Sequence, residues 1–195
     1  MAVPGETTRI TLLVAQALER LGIPYAIGGA LASSLHGVMR STLDVDIVAD
    51  IRLEHIPALI DALSEEFYID AEMVRSAVEH KSSFNLIHYE TAFEVDIFIC
   101  KPRPFDQMQL ERRQRLVITM EPARSVYVIS PEDIILAKLE WYRMGGEVSE
   151  RQWEDVLGVL KVRAGELDLD YMRRWANELG VADLLERALR EAEIQ

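Results

Sequence analysis

The chain has 195 residues, 49% of them apolar, and a formal net charge of −12 at pH 7. The apolar share supplies a core and excludes wholesale disorder, and no apolar run approaches the roughly 20 residues that cross a membrane. The acidic balance excludes nucleic-acid binding through the overall field, because phosphate binding relies on Lys and Arg. Residues 1–9 lack the charged-then-apolar pattern of a signal segment. Cys100 is the single cysteine, so no internal disulfide forms. Both features fit an expected cytoplasmic setting without a membrane partner, and Cys100, at the end of a strand-like run, reads as structural.

In chain order, residues 8–21 place Ile10, Leu13, Val14, Ala17, Leu18 and Leu21 at helix spacing, with Thr7 or Thr8 as the N-cap and Gly22 as the stop. Tyr25-Ala26-Ile27 reads as a short strand running into Gly28-Gly29, and residues 30–36 as a short helix ended by Gly37. Residues 43–49 read as a strand, 53–63 as an amphipathic helix, and 68–80 as a short strand and then a helix. Residues 83–88 and 93–100 read as a strand pair around Glu90-Thr91, followed by short strands at 116–119 and 126–129. The mixture predicts an α+β (mixed α/β) sheet whose strands are not all parallel.

From Ser130 the character changes. Ser130-Pro131-Glu132-Asp133 is a helix start: a capping Ser, Pro in the first turn, then acids near the positive end of the helix. Helical patterns follow at about 134–144, 152–162, 169–179 and 182–192, punctuated by Gly145-Gly146, Gly165 and Gly180. These place a soft boundary near residue 125, between a sheet-bearing domain over 1–125 and a helical domain over 126–195.

The chemistry concentrates in carboxylates. Successive strand side chains point to opposite faces, so Asp44 and Asp46 share one face while Val45 and Ile47 take the other. Acids so placed repel each other unless solvent, hydrogen bonds or a cation compensates. Asp96, between Val95 and Ile97, projects in the same way from its own apolar run. If the two strands are neighbours, three carboxylates converge, a donor set for Mg²⁺, or Mn²⁺ in its place, with room left for substrate phosphates. Two such ions serve an in-line displacement of pyrophosphate. Upstream, Gly28-Gly29 lets backbone N–H groups approach phosphate, Ser33 and Ser34 lie in the next turn, and Arg40 and Thr42 precede the acid pair. Glu94 shares the face of Asp96 and reads as a rim residue.

Other residues carry less. His36, His55, His80 and His88 lack metal-ligand spacing. Trp141-Tyr142 and Trp153 suit interhelical core better than a base-stacking platform. Lys101, Arg103, Arg112, Arg113 and Arg115 form either a solvated mixed-charge face or a small landing patch for a polyanionic acceptor.

Gly28-Gly29-Ala30, His36-Gly37, Arg40, Thr42, Asp44-Val45-Asp46-Ile47 and the later Asp96 together resemble the DNA polymerase beta-type nucleotidyltransferase superfamily, and within it the branch of AbiEii-like toxins of bacterial toxin–antitoxin systems. Glu132-Asp133 with Lys138-Leu139, then Arg151 and Asp155, is similar to that branch's later pattern. The resemblance implies a small twisted mixed sheet with flanking helices and a C-terminal helical region. It implies metal binding by Asp44, Asp46 and Asp96. It also implies a triphosphate cradle of Gly28, Gly29 and Ser33 with Arg40 and Thr42 nearby, phosphate contact by Lys138, and acceptor orientation by Asp155. The expected activity is Mg²⁺-dependent transfer of NMP from an NTP, ATP among them, to a hydroxyl of an RNA such as tRNA, a protein or a small molecule, with a cognate antitoxin as the partner in a toxin–antitoxin role. Trp153-Glu154 interrupts the basic run that often precedes the acid at the position of Asp155. The alternatives are a non-catalytic, antitoxin-type module of the same fold and a different Asp-x-Asp metal enzyme such as a glycosyltransferase, against which the Gly-Gly turn just upstream argues.

Overall fold

A computed structural model describes residues 5–37 and 44–194. Helix α1 (Gly5–Arg20) buries Ile10, Val14, Ala17 and Leu18, one stripe of a 3.6-residue period. Thr7 and Thr8 lie inside it and are buried, so neither caps it as expected; the helix starts earlier. Its end is as predicted: Gly22 takes φ +67°, and the Ile23 N–H donates to the Leu18 carbonyl at 2.9 Å, the six-to-one bond of a glycine-terminated helix.

Strand β1 (Tyr25–Ile27), helix α2 (Gly29–Leu35) and strand β2 (Asp44–Ala49) follow. A turn of 3₁₀ helix (Leu53–His55) leads into α3 (Ile56–Leu63), splitting the single helix expected there, because Pro57 sits in the first turn of α3. Strand β3 (Phe67–Tyr68) and α4 (Ala71–His80) come next, the latter capped by the Asp70 carboxylate, which accepts the Met73 N–H at 2.8 Å. Strands β4 (Ser83–His88) and β5 (Glu94–Ile99) form the predicted antiparallel pair. Helix α5 (Pro104–Glu111) carries no clear periodicity in the sequence and was not expected. Strands β6 (Gln114–Met120) and β7 (Ala123–Val128) form a hairpin.

Among the described residues these strands make one seven-stranded sheet in the order β3-β4-β5-β2-β1-β7-β6. The pairs β2/β5 and β1/β7 are parallel and the others antiparallel, so the sheet is mixed, as the sequence predicts. Strands β2, β4 and β5 alternate buried and part-exposed residues, with Val45, Ile47, Leu86, Val95 and Ile97 on the buried face. Burial of each such side chain contributes about 1.5–3 kcal/mol, which fixes the register, since a one-residue slip would turn the whole set outward.

The chain closes with α6 (Pro131–Met144), α7 (Glu150–Arg163), α8 (Leu169–Glu178) and α9 (Ala182–Glu191), which pack on one another. The start of α6 is as read: the Ser130 hydroxyl oxygen accepts the Asp133 N–H at 3.2 Å. Tyr142 and Trp153 meet between α6 and α7 with ring centroids 5.3 Å apart, whereas Trp141 faces solvent, 53% exposed. Helix α2 joins the two halves, since it contacts β2, α6 and α7. His36, fully buried at its end, makes a 2.7 Å bond from Nε2 to the Ile129 carbonyl oxygen, just before α6, and Arg163 of α7 donates to the His36 carbonyl at 3.1 Å. Among the described residues no helix is long and apolar enough to cross a membrane.

Candidate active site

The turn between β1 and α2 is built against Asp46. The Gly28 N–H donates to the Asp46 carbonyl oxygen at 2.8 Å, extending the β1/β2 ladder by one bond. Gly29 takes φ +56°, and a Cβ there would lie 1.7 Å from Asp46 Oδ2. The residue must therefore be glycine twice over, for its backbone conformation and for space. This turn is where the sequence places the phosphate cradle, but the Gly28 N–H is committed to the sheet. Ser33 is buried, and its hydroxyl donates to the Gly29 carbonyl at 3.2 Å.

The two acidic strands are neighbours. Parallel pairing sets Asp44 beside Glu94 and Asp46 beside Asp96, all on the part-exposed face. Burial raises the Asp96 carboxyl above its ordinary range, and the charges of Glu94 and Asp44 push it further in the same direction. On the other side of Asp96 the antiparallel register places Asn85 of β4, half-buried. Sequence reasoning missed Asn85; the available signal was a polar residue at the alternating position of an otherwise apolar strand.

The set fits a hard divalent cation by chemistry: oxygen donors from two paired strands, mutually repulsive, beside a glycine that leaves the Asp46 carboxylate its room. The expected convergence is incomplete, however. Among the described residues no three His, Cys, Asp or Glu side chains gather closely enough to hold a metal ion. Same-face residues of one strand stand about 6.6 Å apart, so Asp44 reaches a common centre with Asp46 and Asp96 only by leaning toward it.

Lys138 of α6 and Asp155 of α7 come together. Lys138 Nζ donates to Asp155 Oδ2 at 2.8 Å, and their side chains are only 13% and 6% exposed. The glycine at the end of α2 also presses on α7: a Cβ on Gly37 would lie 2.5 Å from Val162 Cγ1. Arg40 and Thr42, placed by sequence beside the phosphates, lie outside the described residues.

This architecture is that of known nucleotidyltransferase folds. An antigenic nucleotidyltransferase-like protein from Paracoccidioides brasiliensis matches with a TM-score of 0.60 and 21% identity, over 100% of this chain and 96% of that one. The structure of ANT(2″)-Ia in complex with adenylyl-2″-tobramycin matches with a TM-score of 0.59 and 14% identity, over 89% of this chain and 98% of that one. The lincomycin-bound lincosamide antibiotic adenylyltransferase LnuA matches with a TM-score of 0.51 and 17% identity, over 83% and 99%. No protein-family model matches the sequence, and no curated protein does. At these identities the likeness establishes the fold, a twisted mixed sheet with flanking helices.

Proposed function

We propose that the protein is a nucleotidyltransferase that moves NMP from an NTP to an acceptor hydroxyl. The observation that carries the reading is the register of β2 and β5, which sets Asp46 beside Asp96 with Gly29 against the Asp46 carboxylate. Asp44, Asp46 and Asp96 are the residues that would hold Mg²⁺, or Mn²⁺ in its place, as one ion or two. When bound, the ion supplies charge neutralisation on the triphosphate and on the leaving pyrophosphate. The chain's own residues supply position. The β1–α2 turn brings backbone close to the carboxylates, and Asn85 offers an amide beside Asp96 on the part-exposed face of the strands. Lys138 and Asp155 are assigned to phosphate and acceptor, and Arg40, Thr42 and Ser33 to the triphosphate. Catalysis in such a site rests on orientation and electrostatics.

Among proteins of this fold, one is described with lincomycin bound and another with adenylyl-2″-tobramycin. A small hydroxyl-bearing compound therefore stands with RNA and protein as an acceptor class. The finer reading as an AbiEii-like toxin with a cognate antitoxin rests on the motifs at Gly28-Gly29, Asp44-Val45-Asp46 and Lys138. Incubation with each α-³²P-labelled NTP, Mg²⁺ or Mn²⁺, and pooled RNA, protein and aminoglycoside or lincosamide acceptors tests the assignment. Transfer that disappears in Asp44→Ala and Asp46→Ala supports it. Absence of both transfer and metal-dependent NTP binding replaces it with a non-catalytic partner module of the same fold.

A further inference from the structure

The arginines that cluster in sequence between residues 103 and 115 are divided by the fold. Arg103 is held by Asp106 and Glu140, and Arg112 lies over the Tyr171 ring at 3.8 Å beside Glu132 and Asp133. Arg113 and Arg115 go elsewhere. Both stack on Tyr127, at 4.6 and 5.4 Å from its centroid, and line a hollow of about 350 Å³. A second hollow of about 470 Å³ shares Arg115 and Glu19 with the first and adds Arg20 and Arg124. In a chain of net charge −12, four guanidinium groups thus line two adjoining hollows. Among the described residues none of the four is in an ion pair, and Arg113 Nε is buried without a hydrogen-bond partner. Glu19 is the one carboxylate lining both hollows, and it accepts the Tyr25 hydroxyl at 2.9 Å.

The hollows are remote from the carboxylates. Strand β1 is antiparallel to β2, so Tyr25, in the wall of the first hollow, stands beside Ala49, at the opposite end of β2 from Asp44. We propose that Arg20, Arg113, Arg115 and Arg124 form a second binding site, for a linear run of phosphate groups that spans both hollows. Guanidinium forks match phosphate oxygens bidentately. A single phosphate would use one hollow, whereas the arginines are spread over two. Tyr127 has its face covered by Arg113 and Arg115, so the site recognises charge without stacking a base. Both an RNA backbone and inorganic polyphosphate present this chemistry.

The test is calorimetric titration of the full chain with sodium tripolyphosphate, without divalent ions, at about 50 mM and about 200 mM NaCl. The expected result is binding that weakens at least about tenfold at the higher salt and by a similar factor in Arg115→Gln/Arg124→Gln, with Asp46→Asn binding like the wild type. Arg20→Glu, an exposed change, tests the second hollow by itself and should weaken binding without altering the melting temperature. A short oligouridylate that binds more tightly than tripolyphosphate with the same arginine dependence makes RNA the source, and tripolyphosphate bound more tightly makes it polyphosphate. No binding at low salt, binding indifferent to the arginine changes, or binding lost in Asp46→Asn overturns the proposal. Because no metal and no transfer enter the assay, failure here leaves the nucleotidyltransferase reading standing, and the reverse holds too.

Discussion

Asp46 and Asp96 stand side by side on parallel strands, and the Asp46 carboxylate occupies the space where Gly29 has no side chain. The carboxylate pair and the glycine turn are therefore one device. The β1/β2 ladder runs into the Gly28 N–H, which fixes the turn, and the turn fixes how far the Asp46 side chain extends.

The two glycines should accordingly behave differently. At Gly28, φ is −117° and an added methyl meets Ile129 Cδ1 at 3.4 Å, a contact that a small shift relieves. At Gly29 an added methyl meets a left-handed backbone, worth about 1–2 kcal/mol by itself, and also drives the Asp46 carboxylate aside. Gly29→Ala is expected to lower the melting temperature and abolish nucleotidyl transfer, with Gly28→Ala much milder in both. Thermal melts and label transfer on the pair check this, and equal effects of the two changes would refute it.

Asp96 gives a pH signature. Its carboxyl is raised from its ordinary value of 3.8, chiefly by burial and then by Glu94 and Asp44, so the folded state binds that proton more tightly than the unfolded chain does. Ionising Asp96 thus costs stability. The cost sets in as pH rises above 3.8, grows through the raised value, and is constant beyond it. Asp96→Asn should melt higher than wild type at pH 7, with the gain fading as pH falls toward the ordinary value. MgCl₂ should raise the wild-type melting temperature at pH 7 more than that of the variant. A variant that melts lower at neutral pH, or a cation effect equal in both proteins, would sink the prediction.

What the sequence shows and hides has a common cause. The face shared by Asp44 and Asp46, the Ser130 cap and the Gly22 stop are local patterns, and each is visible from a few neighbours. The parallel pairing of β2 with β5 joins segments some 50 residues apart in the register Asp46↔Asp96, and alternation alone says nothing about which strands meet. Helix α5 escaped notice because it buries only Phe105, Gln109 and Leu110, one of them polar. The division of the arginine run, with Arg103 and Arg112 held by acids and Arg113 and Arg115 on Tyr127, depends on partners from α6, α8 and β7. Trp141 and Tyr142 are adjacent in sequence, yet only Tyr142 faces the helix pack.

The junction of α6 with α8 holds a buried acid. Asp133 is fully buried; it accepts the Tyr171 hydroxyl at 2.6 Å and the Ser130 hydroxyl at 2.9 Å, with Arg112 3.8 Å away. Burial still prevails and raises its carboxyl. Tyr171→Phe removes a donor to a buried carboxylate, at an expected cost of about 1–3 kcal/mol. It also raises the carboxyl further, so the loss should be largest at neutral pH and shrink in acid. Urea denaturation at several pH values reads this, and a cost independent of pH would show that the hydroxyl does not favour the ionised form of Asp133 over the protonated one.

The Lys138–Asp155 pair ties α6 to α7 with both side chains largely buried, and both residues are also assigned to substrate. The two roles separate in a double-mutant cycle. Removing one partner takes the opposite charge away from the other in a largely buried setting, so Lys138→Met and Asp155→Leu should each cost about 3–5 kcal/mol. The two losses arise from one shared contact, and the double variant should lose clearly less than their sum. If the pair serves only as a strut, turnover recovers along with stability in the double variant. The expected result is otherwise: stability recovers while transfer remains low. KM for the NTP should rise in Lys138→Met, measured at a temperature where that variant stays folded. Recovery of both quantities would remove Lys138 and Asp155 from the catalytic set and leave the chemistry to the carboxylates of β2 and β5 and the residues grouped around them.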